Sequence, residues 1–307
     1  MFWKTSPSIN FDPDQDIGDL KGKVIIVTGG NDGLGKETVL RLAKHNPECI
    51  FLCSRSVEKG ETAVKEIETA VPGANIRLLK LDLGSLASVS AAVSTFREQY
   101  DKLDILINNA GIANLPPGKT VEGYEQQFGV NHIGHALLIK LLLPTMLKTA
   151  EIETPGSVRI VSVSSEAHEH IKPPGINFDD LEKAGHPWLL YAQSKLANLL
   201  YAKALAKQYP SIVSVSLHPG TAKTGIFVKM DTAWINMLMF LLGWTIMGTI
   251  EQTAKNQLWA ATAIEVQSGA YYTPVGVKNA GTALSNDEEL ENKLWGWTQG
   301  ELKKQNY

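Results

Sequence analysis

A tyrosine and a lysine four residues apart are the strongest candidates for catalysis in this sequence. Tyr191 and Lys195 stand in the run YAQSK, inside a helical pattern that extends from Pro187 to about Gln208. Residues i and i+4 share one helix face, so the phenol and the ammonium group project together. A cation beside a phenol favours the phenolate, and we expect the pKa of Tyr191 to be lowered towards that of an acid/base catalyst. The pattern alone is common by chance, so its weight depends on its surroundings.

Polar residues that could assist this pair lie after other apolar runs. Ser164 and Ser165 end a fifth strand-like run, Asn131 lies in a long helical segment, and His218 opens the run HPG after a sixth strand. The carboxyl ends of parallel strands form the ligand-binding edge of a doubly wound sheet. We therefore expect these side chains to meet at one edge.

Glycines connect the first strand to a helix that begins near Leu34, at positions Gly29, Gly33 and Gly35. Such glycines let the chain turn sharply and let a pyrophosphate approach the N–H groups of a helix N-terminus. An ordinary strand-to-helix turn is the plain alternative. The position in the first strand–helix unit favours a dinucleotide site.

A fourth strand runs into NNAG, where Asn109, Ala110 and Gly111 fit a strand end close to the adenosine half of the cofactor.

The end of the second strand predicts which dinucleotide binds. An NAD site places a carboxylate there against the ribose hydroxyl, but this chain has Ser54 followed by Arg55. A guanidinium can bind a 2′-phosphate with two hydrogen bonds, and Lys36 in the first helical turn could add positive charge. A solvated arginine at a strand end is the alternative. We expect NADP(H) to be preferred over NAD(H).

Strands and helices alternate along most of the chain. Apolar β-branched runs predict strands at Val24–Val27, Ile50–Cys53, Ile76–Leu81, Leu103–Ile107, Val158–Val163, Ile212–Leu217 and, weakly, Ala270–Tyr272. Helical patterns separate them at Lys36–His45, Val57–Ala70, Leu86–Tyr100 and Gly123–Leu147. The prediction is an α/β fold with one doubly wound, Rossmann-type parallel sheet of about seven strands and helices on both faces. We expect residues 1–20 to be an extension and 21–307 to be a single domain.

Composition excludes several function classes. The chain has 307 residues, 44% apolar and 20% charged, and its net charge is −3, so it lacks the basic excess that nucleic-acid binding needs. Cys49 and Cys53 are too far apart on a strand to form a disulfide, and the N-terminus lacks a secretory signal, so we expect a cytoplasmic protein. The histidine pairs at 132/135 and 168/170 have no third ligand at metal-binding spacing, and we expect no metal.

Taken together, the motifs resemble the short-chain dehydrogenase/reductase family over roughly residues 20–305. The likeness rests on TGGNDGLG, NNAG, Asn131, Ser165, YAQSK and HPG in that order. NFDDL, SKLAN, SGAYY and KLWGWTQGEL resemble the retinol-dehydrogenase-like group. The separation of Ser165 and Tyr191 is longer than in many relatives, and NFDDLEKAGHPW fills it as that group's insertion does.

The resemblance implies roles for individual residues. Tyr191 would protonate the carbonyl oxygen, Lys195 would lower the tyrosine pKa and hold the nicotinamide ribose, Ser165 would hydrogen-bond the substrate oxygen, and Asn131 would anchor a water leading to Lys195. The choice of Ser165 over Ser164 rests on family spacing. The nicotinamide carboxamide would be seated by Pro219, Gly220 and Thr221 or Thr224. The full cofactor-binding set is Gly29, Asn31, Gly33, Leu34, Lys36, Arg55, Asp82, Leu83, Asn109, Ala110, Gly111, Tyr191, Lys195, Pro219, Gly220, Thr221 and Thr224.

An uncharged apolar run lies between the sixth and seventh strands, within residues 232–250. A membrane span here would separate two strands of one sheet, so we interpret the run as a substrate lid, with a membrane surface or a second subunit as further contacts. The sequence thus predicts an NADPH-dependent oxidoreductase for a small apolar carbonyl or alcohol substrate. The alternative from another class is a catalytically silent NADP-binding sensor or scaffold protein.

Overall fold

The computed structural model describes residues 8–220 and 248–307, and within them a single sheet orders the chain. Its strands are β1 Val24–Val27, β2 Cys49–Ser54, β3 Ile76–Lys80, β4 Ile105–Asn108, β5 Arg159–Val163, β6 Val213–Leu217, β7 Tyr271–Thr273 and β8 Val277–Asn279. The spatial order is β3-β2-β1-β4-β5-β6-β7-β8. The strands from β1 to β7 pair in parallel, and β8 pairs antiparallel with β7.

Helices cover both faces of this sheet. They are α1 Pro13–Asp16, α2 Gly33–Ala43, α3 Val57–Ala70, α4 Leu86–Arg97, α5 Gln126–Phe128, α6 Gly134–Ile152, α7 Pro187–Gln208, α8 Ile250–Thr262 and α9 Glu288–Lys304. A π-helical turn, Gly129–Ile133, joins α5 to α6. The predicted fold class is confirmed. The sheet has eight strands where about seven were expected, because the antiparallel β8 is only three residues long and gives a weak pattern.

The burial pattern explains why the strands read as continuous apolar runs. In β1, Val24 and Ile26 face the core formed with α4, α6, α7 and α9, whereas Ile25 and Val27 face the core formed with α2, α3 and α8. A parallel sheet buried on both faces needs apolar residues at every position. Successive side chains of one strand therefore hold helices on opposite sides.

The segment before β1 lies against the domain from residue 9 onward. The Ile9 N–H donates to the Val275 carbonyl over 2.9 Å, and Phe11, Ile17 and Leu20 are buried. Lys255 on α8 also donates to the Phe11 carbonyl over 2.9 Å. These contacts attach the segment to the α8 side of the sheet.

Candidate active site

The glycine loop after β1 forms a tight turn against the start of α2. Gly29 and Gly33 have φ of +64° and +50°, in the left-handed region that favours glycine. A Cβ on Gly35 would lie 2.2 Å from the Gly29 carbonyl oxygen, so no larger residue fits there. Asp32 caps the helix by accepting from the Gly33 N–H over 2.7 Å. Asn31 and Leu34 are half-buried in the same turn.

The strand ends of β1 and β4 are tied together by Thr28. Its backbone carbonyl accepts from the Asn109 amide over 2.8 Å, and its hydroxyl accepts from the Ala110 N–H over 2.9 Å. These bonds set NNAG beside the glycine loop, at the point where the strand order reverses. Such a switch point is where a doubly wound sheet binds a dinucleotide, and the close-packed glycines fit that ligand.

The end of β2 presents Arg55 as an exposed side chain, while Ser54 is buried and donates to the Ser56 carbonyl over 2.7 Å. Lys36 forms an ion pair with Glu66 on α3. The positive charge expected from Lys36 is therefore partly offset, and Arg55 has no ion-pair partner among the residues that the structure describes. Sequence reasoning did not foresee Glu66, which is thirty residues from Lys36.

Asp82 and Leu83 follow β3 at the same edge of the sheet. The Asp82 carboxylate accepts from the Gly84 N–H over 2.9 Å, and the Ser88 hydroxyl accepts from the Asp82 N–H over 3.0 Å. Leu83 is buried, and its carbonyl oxygen would lie 2.4 Å from a Cβ on Gly134. The turn is thereby packed closely against the beginning of α6.

Tyr191 and Lys195 are buried on one face of α7, as the spacing predicts. Their exposed fractions are 8% and 3%, and the lysine Nζ lies 5.6 Å from the centre of the tyrosine ring. The Lys195 ammonium donates to the Val163 carbonyl at the end of β5 over 2.9 Å. Tyr191 and Lys195 therefore lie next to the carboxyl end of β5.

The two serines after β5 have different partners. Ser164 is buried and donates to the Lys195 backbone carbonyl over 2.7 Å, so its hydroxyl is used to hold α7. Ser165 lies close enough to Tyr191 for its hydroxyl to lower the pKa of the phenol, and its Oγ accepts from the Ala167 N–H over 3.2 Å. The geometry brings Ser165, and not Ser164, to the phenol.

Burial controls the protonation of Tyr191 and Lys195. It raises the pKa of Tyr191 to about 12, against a smaller lowering by the Ser165 hydrogen bond. Burial also lowers the pKa of Lys195 to about 8. The pKa of Tyr191 in the chain alone is therefore raised, where the sequence predicted a lowering, because desolvation of the phenolate outweighs the Ser165 contribution.

Asn131 occupies the π-helical turn and is fully buried. Its side-chain amide bonds both backbone groups of Ile112, accepting over 2.8 Å and donating over 2.9 Å, and it also donates to the Ser194 hydroxyl over 2.9 Å. Ser194 in turn donates to the Tyr191 carbonyl over 2.7 Å. A Cβ on Gly111 would lie 3.3 Å from both the Asn131 oxygen and the Lys195 Nζ. Asn131, Gly111 and Lys195 are therefore neighbours.

A histidine that the sequence analysis did not assign to the site connects Asn131 with Thr28 at the end of β1. His135 is buried, with Nδ1 3.0 Å from the Asn131 carbonyl and Nε2 2.9 Å from the Thr28 hydroxyl. Because a carbonyl only accepts, Nδ1 carries the hydrogen, and Thr28 donates to Nε2 while accepting from Ala110. Burial lowers the pKa of His135 to about 4, which keeps this ring neutral. The run NHIGH placed His135 one turn after Asn131 and Thr28 opens the run TGGNDGLG, but their contact joins residues 107 apart in sequence.

The end of β6 carries the HPG run. Asn256 on α8 donates to the His218 carbonyl over 2.7 Å, and Gly220 has φ of +101°. The His218 Nε2 lies 3.7 Å from a Glu166 carboxylate oxygen. Burial lowers the pKa of His218 to about 4, so this contact joins a neutral imidazole to a carboxylate and is too long for a hydrogen bond. Pro219 and Gly220 lie at the sheet edge, whereas Thr221 and Thr224 fall outside the described residues.

Two other predictions were that the histidine pairs bind no metal and that residues 232–250 form a substrate lid. His132 contacts the Thr298 hydroxyl on α9 over 2.9 Å and so faces away from the Thr28 side that His135 contacts. Within residues 8–220 and 248–307, no group of three potential metal ligands occurs. The lid assigned to residues 232–250 lies outside the described residues except for its last three.

One helix in the described part of the chain is long and apolar enough to cross a membrane. It is Gln126–Ile152, with a mean hydropathy of 1.3. Most of it is buried in the core between the sheet, α4 and α7. Its apolar character is that of a core helix.

Comparison with known proteins identifies the family. A family model described as short chain dehydrogenase matches residues 23–233. The chain is 38% identical over 304 residues to the short-chain dehydrogenase/reductase drtF of Aspergillus calidoustus, covering 93% of this chain and 95% of that protein. It is 36% identical over 282 residues to retinol dehydrogenase 11 of Homo sapiens, covering 90% and 83%.

A solved structure agrees with these relatives. The NADPH-bound carbonyl reductase from chicken fatty liver superposes with a TM-score of 0.65 at 26% identity, covering 87% of this chain and 97% of that one. The chain therefore belongs to the short-chain dehydrogenase/reductase family, with retinol dehydrogenases among its relatives. It is an oxidoreductase of the class that uses nicotinamide cofactors to interconvert CH–OH and C=O groups.

Proposed function

We propose that the protein is an NADPH-dependent reductase of apolar ketones and aldehydes that also oxidises the corresponding alcohols. The observation that carries this proposal is the meeting of Tyr191, Ser165, Lys195 and Asn131 beside Gly111, at the carboxyl edge of the sheet. A sensor or scaffold protein would not require a buried phenol in contact with a serine hydroxyl and beside a buried lysine.

Each of these groups has a role that its contacts support. Tyr191 donates its phenolic proton to the substrate oxygen, and Ser165, which lies next to the phenol, hydrogen-bonds the same oxygen. Lys195 holds the nicotinamide ribose, and Asn131 anchors a water that leads to Lys195. When bound, the nicotinamide supplies the hydride for reduction or accepts it in oxidation.

The protonation state of Tyr191 supports the reductive direction. A phenol whose pKa burial raises to about 12 stays protonated at neutral pH and can give a proton to a carbonyl oxygen. Oxidation of an alcohol needs Tyr191 as a deprotonated base, and burial of the side chain disfavours that charged state. The protonated phenol is the state that reduction of a carbonyl requires.

The glycine loop and NNAG would hold the cofactor backbone, and Arg55 would select NADP(H). Arg55 is exposed at the end of β2, where no carboxylate stands to bind a ribose hydroxyl. A charge-assisted pair between a guanidinium and a phosphate is among the stronger polar contacts. The NADPH bound to the chicken carbonyl reductase supports the same preference.

An apolar environment beside Tyr191 supports an apolar substrate. Tyr191 packs in a small cluster with Ala113, Ala167 and Ala192, and Ile171 and Trp188 lie against it. The retinol dehydrogenase relative is named for an apolar alcohol, which agrees with this lining. A cytoplasmic location, and contact of residues 232–250 with a substrate, a membrane surface or a second subunit, stay predictions from the sequence.

A substrate screen tests this proposal. Purified protein is given apolar aldehydes, ketones and alcohols with each of NADPH, NADH and their oxidised forms, and the cofactor absorbance is followed. We expect NADPH-dependent reduction by the wild type and loss of turnover by at least about a hundredfold in Tyr191→Phe, because only the transferable proton is removed. Melting temperature and NADPH affinity should stay near those of the wild type. Substantial turnover by Tyr191→Phe would contradict the acid role.

A further inference from the structure

The indole of Trp188 lies one helical turn before Tyr191 and contacts two other rings. Its centre is 5.7 Å from the Tyr191 ring at an interplanar angle of 40°, and 6.0 Å from the His170 ring at 75°. The helix start is also held, because His186 accepts from the Trp188 N–H over 3.2 Å and Gln127 donates to the Pro187 carbonyl over 2.9 Å. The indole is thus braced in one orientation while staying half-exposed.

The side chains around the phenol differ in size. Ala113, Ala167 and Ala192, which pack directly with Tyr191, are small, whereas Trp188 and Ile171 are large and only partly buried. Small side chains therefore share the buried cluster of the phenol, and the half-exposed indole lies beside the phenol ring. The shape suits a substrate whose carbonyl is attached to a flat group.

We propose that Trp188 is a specificity-determining residue whose indole face binds a planar, unsaturated group attached to the carbonyl, such as an aryl ring or a conjugated chain. This inference rests on the proposed function and narrows its substrate class. Aromatic pairs in offset or tilted geometry gain stability beyond the area that they bury. A saturated ring of the same size buries similar area but lacks that gain, so the two kinds of substrate distinguish the role.

The test compares aldehydes that differ only in saturation. Benzaldehyde is paired with cyclohexanecarbaldehyde, and naphthaldehyde with its fully hydrogenated counterpart, all with NADPH. The selectivity, defined as the ratio of kcat/KM for the flat over the saturated member, is measured in wild type, Trp188→Leu and Trp188→Phe. Comparing selectivity between variants cancels the intrinsic reactivity of each aldehyde.

We expect Trp188→Leu to lower this selectivity about three- to tenfold and Trp188→Phe to restore most of it, since phenylalanine keeps a flat ring. NADPH affinity should not change. Trp295→Phe serves as the matched control, because Trp295 stacks on Tyr201, 5.2 Å away, in the contact between α9 and α7. That variant should keep the wild-type selectivity.

The outcomes separate the two proposals. Equal losses on flat and saturated aldehydes in Trp188→Leu would overturn the role of Trp188 and leave the reductase proposal intact. Absence of turnover by the wild type with every carbonyl and alcohol substrate and both cofactors would overturn the reductase proposal itself. If Trp188→Leu does not fold, Trp188→Met makes the same comparison with a flexible apolar side chain.

Discussion

If Lys195 holds the nicotinamide ribose as proposed, its pKa makes NADPH binding depend on pH in a predictable way. Burial lowers this pKa from 10.5 to about 8, so the ammonium loses its proton near the pH of many assays. If the protonated lysine holds the nicotinamide ribose, the apparent Kd for NADPH stays constant below pH 8 and rises above it. With a pKa of about 8, the expected weakening between pH 7 and pH 9 is about tenfold.

Three other titratable groups near the site have pKa values outside this window. The pKa of Tyr191 is raised to about 12, and those of His135 and His218 are lowered to about 4. The phosphate ionisation of NADPH lies near pH 6, so measurements from about pH 7 upward avoid it. The assay is equilibrium titration of NADPH fluorescence with wild type and with Lys195→Arg, whose guanidinium stays charged throughout.

A wild-type Kd that is constant to within twofold from pH 7 to pH 9.5 would refute the reasoning. A rise of equal size in Lys195→Arg would assign the titration to another group. The same shift also affects stability. The folded-state pKa lies below the unfolded value, so the unfolded chain binds more protons between about pH 8 and 10.5, and the free energy of unfolding rises with pH there.

The remaining predictions concern the cofactor edge and its supports. Arg55→Ala should weaken NADP binding about thirty- to a thousandfold and leave NAD binding unchanged, because NAD lacks the 2′-phosphate; equal affinity of the wild type for both cofactors, measured by titration, would contradict it. Gly35→Ala should weaken NADPH binding more than about tenfold and lower the melting temperature, since its Cβ meets the Gly29 carbonyl; an unchanged Kd would argue against a tight loop. His135→Phe should destabilise the fold by about 1 to 3 kcal/mol in denaturant titrations, because the Thr28 hydroxyl and the Asn131 carbonyl lose a partner, and His135→Asn should recover part of that loss. Lys195→Met should abolish turnover yet raise the free energy of unfolding at pH 7 by about 1 to 3 kcal/mol, because a charge that is costly to bury is removed.

Local sequence patterns predicted the helices whose ends are determined by residues within or next to the helix itself. The amphipathic pattern predicted the helix at Val57–Ala70 to the residue, and in the structure Ser56 caps it by accepting from the Lys59 N–H. Pro187–Gln208 was equally clear, since proline stands in its first turn. The π-helical turn at Asn131 was not predictable, because the partners of the Asn131 amide, Ile112 and Ser194, are distant in sequence.

In the candidate site, too, features set by local spacing were predictable from the sequence, and features set by packing between distant elements were not. Spacing alone correctly placed Tyr191 and Lys195 on one face of α7, because the helix period is a local property. It could not give the protonation of the pair, which depends on burial by the sheet and its loops. Nor could it show that Glu66 engages Lys36, since this pairing needs the packing of α2 against α3.

The network through His135 shows how the two halves of the site depend on each other. Thr28 lies on the proposed cofactor side, where it holds Asn109 and Ala110 next to the glycine loop. Asn131 lies on the proposed proton-handling side, where its neighbours are Gly111, Lys195 and Ser194. A single neutral imidazole bonds both, and a proton added to its Nε2 would remove the acceptor that Thr28 uses. Since burial places that protonation near pH 4, the two halves stay connected at every pH at which Lys195 and Tyr191 can work.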